Sequence, residues 1–139
     1  MMFDRAAPLF SRDFMALKIL ATLYVLALIL LHAASPIGWT WGVAAVLSIA
    51  MNFTYIWAAR QTGKWVRVET VISLALIGMA AIGFFVSTVL IILSIFLHGV
   101  WDLFKHNGRG VPFFKWYTLG CVTVDWTYSA ALFVFWMIQ

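Results

Sequence analysis

Apolar runs of membrane-spanning length, separated by short segments rich in charge, glycine or proline, set the pattern of this chain. The first run continues to Ala34 and meets Ser35-Pro36, a natural stop, which predicts a helix over about 13–34. A second helix is predicted over 37–59. Trp39 and Trp41 lie at one of its ends and Trp57 at the other, where the aromatic belt of a membrane helix sits. The stretch from Trp65 to His106 is about 42 residues. As one helix it would measure roughly 63 Å, about twice the hydrocarbon thickness. It therefore reads as two helices, 66–82 and 86–106, joined by a tight apolar hairpin from Gly83 to Ser87. Glycine and Pro112 in the linker Asn107 to Pro112 suit a helix cap and a new start, which predicts a fifth helix over 113–137. The expected fold class is all-α: one polytopic membrane domain over 1–139, a five-transmembrane-helix bundle. Ahead of it, Met1 to Arg12 mixes Phe3, Leu9 and Phe10 with Asp4, Arg5 and Arg12, as an interfacial segment does.

Charge orients the bundle. All nine Lys and Arg residues fall in three clusters: Arg5, Arg12, Lys18; then Arg60, Lys64, Arg67; then Lys105, Arg109, Lys115. Cytoplasmic loops of inner-membrane proteins collect such residues, so the three clusters should share one side. That requires an even number of spans between clusters and one after the last. The expectation is a multi-pass protein of the bacterial inner membrane, N-terminus inside and C-terminus outside. With 65% hydrophobic and 10% charged residues, little of the chain is left for an extramembrane domain. The net charge of +4 is dispersed over three loops and forms no basic stripe, so no nucleic-acid partner is expected. Cys121 is the single cysteine, which excludes an internal disulfide and a multi-cysteine metal site. No cleavable signal peptide is evident.

Ionisable groups at membrane depth cost several kcal/mol and face partners, so each marks a candidate site. His98 and Asp102 stand four apart on one helical face, in a stripe that Ser87, Ser94 and His106 extend. Asp125 lies about 15–18 Å into the fifth helix, within a line of small polar residues that includes Cys121 and Ser129. No Lys or Arg is expected at its depth, so it should be protonated, paired with His98 or bound to a cation. Asn52 and Tyr55 descend helix two to a similar level. Glu69 is expected first as a solvated interfacial carboxylate near Arg67 and Lys64, with the pocket as its alternative place. Asp102 either pairs with Lys105 near the headgroups or joins the pocket. Tyr117 and His106 are further pocket candidates. His32 is expected to hydrogen-bond at the outer interface, and Tyr24 to pack within the span.

A His and carboxylates from adjacent helices would suit Zn, Mn or Fe, which makes His98, Asp102 and Asp125 the candidate metal ligands and a divalent metal the candidate cofactor. Such a metal would activate water at a lipid ester or amide. Ser94 and His98 share a face, yet no nucleophile-elbow sequence accompanies them.

The segment His98-Gly99-Val100-Trp101-Asp102-Leu103-Phe104-Lys105-His106, then Val111-Pro112, Trp116-Tyr117, Cys121 and Asp125, resembles a group of small bacterial integral membrane proteins of unassigned activity. These carry an H-G-x-W-D-x-x-x-H stretch, then V-P-x-W-Y, a Cys and an Asp near the C-terminus. Phe113-Phe114-Lys115 departs from that spacing before the Trp-Tyr pair. The resemblance covers about the last third of the chain. It implies His98, Asp102, His106, Trp116, Tyr117 and Asp125 as motif positions and no activity. The reading at this stage is a polar pocket open to the cytoplasmic leaflet that binds a cation, a proton or a lipid-like ligand. Its rivals are a membrane-embedded metal-dependent hydrolase or isomerase of lipids, an accessory subunit of a larger membrane complex, and a transporter acting as a homo-oligomer.

Overall fold

Each apolar run forms one helix. The computed structural model describes residues 12–139, with side chains from Met15 onward. Its helices are α1 Arg12–Ala33, α2 Ile37–Thr62, α3 Val66–Val86, α4 Thr88–His106 and α5 Lys115–Met137. The expected interfacial segment with Arg5, and the side chain of Arg12, lie outside the described residues. All five helices are long and apolar enough to cross a membrane, and the described residues contain no strand. The architecture is the all-α, multi-pass one that the apolar pattern predicts.

The α3–α4 hairpin is tighter than expected. Gly83 was a turn candidate, but α3 continues through it to Val86 and only the extended Ser87 separates the two helices. Gly83 serves close approach instead. A Cβ there would lie 2.9 Å from the Ile91 backbone nitrogen, so the helices can part from a narrow crotch only because that atom is missing. Ser87 thus belongs to the turn and not to the buried stripe of α4. At the opposite end of the bundle, Gly63 ends α2 in the left-handed conformation (φ 65°). Helix α5 begins two residues later than expected, because Phe114 before it stays extended.

Helix α4 sits centrally, packed against α2, α3 and α5, whereas α1 leans on α5 and barely touches α2. One apolar core joins Val25, Trp41, Ala44, Ile91, Ile95, Tyr128 and Leu132. Toward the basic end a smaller one gathers Tyr55, Ala58, Ala59 and Val111. Buried polar pairs tie the helices between and beyond these cores. Ser94 Oγ donates to Leu76 O at 2.9 Å and pairs with Ser48 Oγ at 2.8 Å, linking α4 to α3 and α2. His32 Nε2 meets the Tyr128 hydroxyl at 2.6 Å and fastens α1 to α5, buried inside the bundle rather than exposed at an interface. Tyr24, by contrast, turns outward and is half exposed. Gly99 sets the α4–α5 spacing: a Cβ there would stand 2.8 Å from the Trp126 ring and 3.0 Å from Asp125 Cβ. That close approach brings Asp125 onto the turn of α4 that carries His98.

Candidate functional site

Helical periodicity on α4 stacks Ser94, His98 and Asp102 on the face turned into the bundle, and all three are buried. His98 Nδ1 lies 2.9 Å from Asp125 Oδ2 and 3.7 Å from Asp102 Oδ2. One donor atom from each of the three residues falls within 4.8 Å of the other two. Metal–ligand bonds of about 2.0–2.2 Å place neighbouring donors about 3.0–3.6 Å apart. The two distances from His98 Nδ1, 2.9 and 3.7 Å, lie near that range, and the third donor pair would have to draw closer around an ion.

A second group adjoins the first through Asp102. Lys105 Nζ stands 3.4 Å from Asp102 Oδ1 and 3.4 Å from Glu69 Oε2, and lies 3.2 Å above the centre of the Tyr55 ring. Glu69 Oε2 accepts from Trp101 Nε1 at 3.0 Å, and Oε1 accepts from the Val111 backbone N–H at 2.8 Å. Two expectations are corrected here. Glu69 is not a solvated interfacial carboxylate: it is fully buried, and the 107–114 linker folds over it. Lys105 is not a loop cation: its side chain turns inward and has no exposed surface. Gly110 makes the covering possible. It has φ 93°, and a Cβ on it would approach Glu69 Oε1 to 2.8 Å.

The other sequence candidates take lesser places. Asn52 is buried but donates to Ser48 O in its own helix at 2.7 Å. His106 Nδ1 lies 3.2 Å from Lys115 O, where it ties the end of α4 to the start of α5. Tyr117 packs against Phe113 and lines a groove beside Asp125. Tyr55 contributes more than its place on helix two suggested: its ring is the wall between Lys105 and His98, 5.6 Å from the imidazole centroid. Trp101 was read only as a motif position, yet it donates to Glu69. Its signal was available, since residues 98, 101, 102 and 105 recur at the three- and four-residue spacing of one helix face. Ser94 is committed to Ser48 and Leu76 and makes no hydrogen bond to His98, so the geometry holds no Ser-His-Asp relay.

The charges of this network do not balance. Glu69, Asp102 and Asp125 are three buried carboxylates, and among the described residues Lys105 is the one fixed cation between them. With His98 neutral, two negative charges remain, a costly excess in a medium that solvates ions poorly. One divalent cation would cancel it, and so would two protons. His98 Nε2 is also buried in this region without a hydrogen-bond partner. Buried polar groups are seldom left so, and an unpaired nitrogen beside an excess of negative charge suits a place for a ligand.

No known protein family matches this chain. Neither a curated protein nor a solved structure is measurably similar to it.

Proposed function

We propose that this is a multi-pass protein of the bacterial inner membrane whose buried His98–Asp102–Asp125 cluster binds a divalent cation. The observation that carries the reading is the unbalanced pair of negative charges beside three donor atoms within 4.8 Å of one another. A single divalent ion satisfies both features at once. One imidazole with carboxylate oxygens suits Zn, Mn or Fe. Lys105 and Glu69 form the supporting shell: Lys105 holds Asp102 Oδ1, and Oδ2 lies on the His98 side, 3.7 Å from Nδ1. The positions His98, Asp102 and Asp125 are also among those the resemblance to small bacterial membrane proteins implies.

Metal content tests the reading. Purified in mild detergent without chelator, the wild type is expected to carry about one equivalent of divalent metal per chain, and His98→Ala to carry almost none. A metal-free wild type whose melting temperature ignores both added metal and chelator would refute metal binding. It would leave the proton-loaded form of the same cluster, and with it an accessory, helix-pairing role.

The orientation proposed is N-terminus inside, so that the 63–65 and 107–114 segments, beside Lys64, Arg67, Arg109 and Lys115, face the cytoplasm. The burial of Lys105 removes one charge from the third cluster and leaves two. A reporter active only outside the inner membrane should give signal when fused after Gln139 and none when fused at Thr62. The reverse pattern would overturn the orientation.

A further inference from the structure

A groove of about 570 Å³ runs along the seam between α1, α2 and α5 and passes beside Asp125 of the buried site. It exists because α1 leans on α5 and leaves α2 almost untouched, while small side chains at Ala21, Ala50 and Gly120 keep the seam open. Its volume lies in the range of pockets that hold a single small ligand. The walls are almost wholly apolar, with Leu20, Leu47 and Val124 among them. Among the described residues one charged residue lines it, Asp125, whose Oδ2 lies 2.9 Å from His98 Nδ1. Asp125 itself is buried, so the seam and the His98–Asp102–Asp125 centre are separated by little more than that one side chain. Tyr24, Tyr117 and Tyr128 join Asp125 in the lining, the Tyr128 hydroxyl being held by His32.

We infer that the groove takes one apolar chain of a lipid-like amphiphile and brings its uncharged, oxygen-bearing head, an ester or an amide, to the edge of the His98–Asp102–Asp125 centre. The chain fits the apolar walls, and the head meets the polar residues where the groove meets the site. The head is uncharged because one divalent cation already neutralises the centre, so an anionic or cationic head would restore an imbalance in a poorly solvating medium. To that extent the inference rests on the proposed metal reading. The carbonyl oxygen of such a head can bind a Lewis-acidic metal and accept a hydrogen bond.

The test is photolabelling of the full chain in phosphatidylcholine vesicles, with a fatty acid methyl ester that carries a diazirine on its chain. Labelled peptides are expected from the groove faces of α1, α2 and α5. Unlabelled methyl ester should compete, whereas added phosphatidylglycerol should not. Ala50→Trp, which fills the groove, should reduce labelling about tenfold, the loss that corresponds to about 1.4 kcal/mol of binding. Val71→Trp, on the exposed outer face of α3, should leave labelling unchanged. Melting temperature and bound metal are measured on both variants, so that a misfolded protein is recognised and replaced by the milder Ala50→Leu. Labelling indifferent to Ala50→Trp, or competed equally by phospholipid, would make the groove part of the ordinary lipid annulus and overturn the inference. Stronger competition by the free fatty acid than by its ester would overturn the uncharged head. A metal-free wild type that still labels in an Ala50-dependent way would refute the metal reading and sustain the groove, whereas metal-loaded protein with indifferent labelling would do the opposite.

Discussion

Lys105→Met should destabilise the detergent-solubilised protein by about 3–5 kcal/mol, the usual loss when one partner of a buried ion pair is removed and the other is left without compensation. Methionine has nearly the length of lysine, so the space beside Tyr55 stays filled and the change is mainly one of charge. Two carboxylates lose their partner together, since Glu69 Oε2 and Asp102 Oδ1 each lie 3.4 Å from the ammonium. Glu69 keeps Trp101 Nε1 and the Val111 N–H, whereas Asp102 Oδ1 loses the ammonium that donates to it, so the damage should centre on Asp102. Thermal melting is the measurement, with Lys105→Met/Glu69→Gln as the companion variant. Removing the surplus negative charge should recover part of the loss. A melting temperature near that of the wild type for Lys105→Met alone would mean that this side chain reaches water and does not neutralise the site.

His98→Ala and Asp125→Ala should each cost about 3 kcal/mol, because each strands a buried group that the other satisfies. The double variant should be no less stable than the poorer single one, the signature of two residues that act through one contact. The 2.9 Å approach of Nδ1 to Oδ2 motivates the expectation. If a cation is held between them, chelator should lower the melting temperature of the wild type to that of either variant and leave the variants unmoved. Additive losses in the double variant would show that the two residues contribute independently, and the cluster would then not act as one site.

The places where the reading from sequence and the folded molecule differ are informative because they share a cause. Five helices were legible, for hydrophobicity and helix length are local: a run such as Val66–Val86 must satisfy its backbone hydrogen bonds within itself wherever it lies in a bilayer. The division of 65–106 into two helices follows from its length and from the basic clusters at either end, which must share one side. Its turn was placed a little early because Gly83 reads as a breaker locally, while Ile91 across the crotch gives it another use. His98 and Asp102 were legible as neighbours, since four residues on one helix share a face.

Sequence by itself therefore determined the all-α class, the five apolar helices and the short list of groups that cannot be left alone in an apolar medium. Only the tertiary structure decided which of them meet. Lys105 has a long side chain at a helix end and can reach either water or the interior; it turns inward because Glu69 from α3 and Asp102 are both there to receive it. Glu69 is buried because a linker more than forty residues away, bent at Gly110, closes over it and donates the Val111 N–H. Asp125 reaches His98 because Gly99 and Trp126 let α4 and α5 come close. The groove owes its existence to where α1 packs, which no property of α1 alone specifies. Each of these depends on contacts between distant segments, whereas periodicity and hydropathy describe only what a residue does for its own helix.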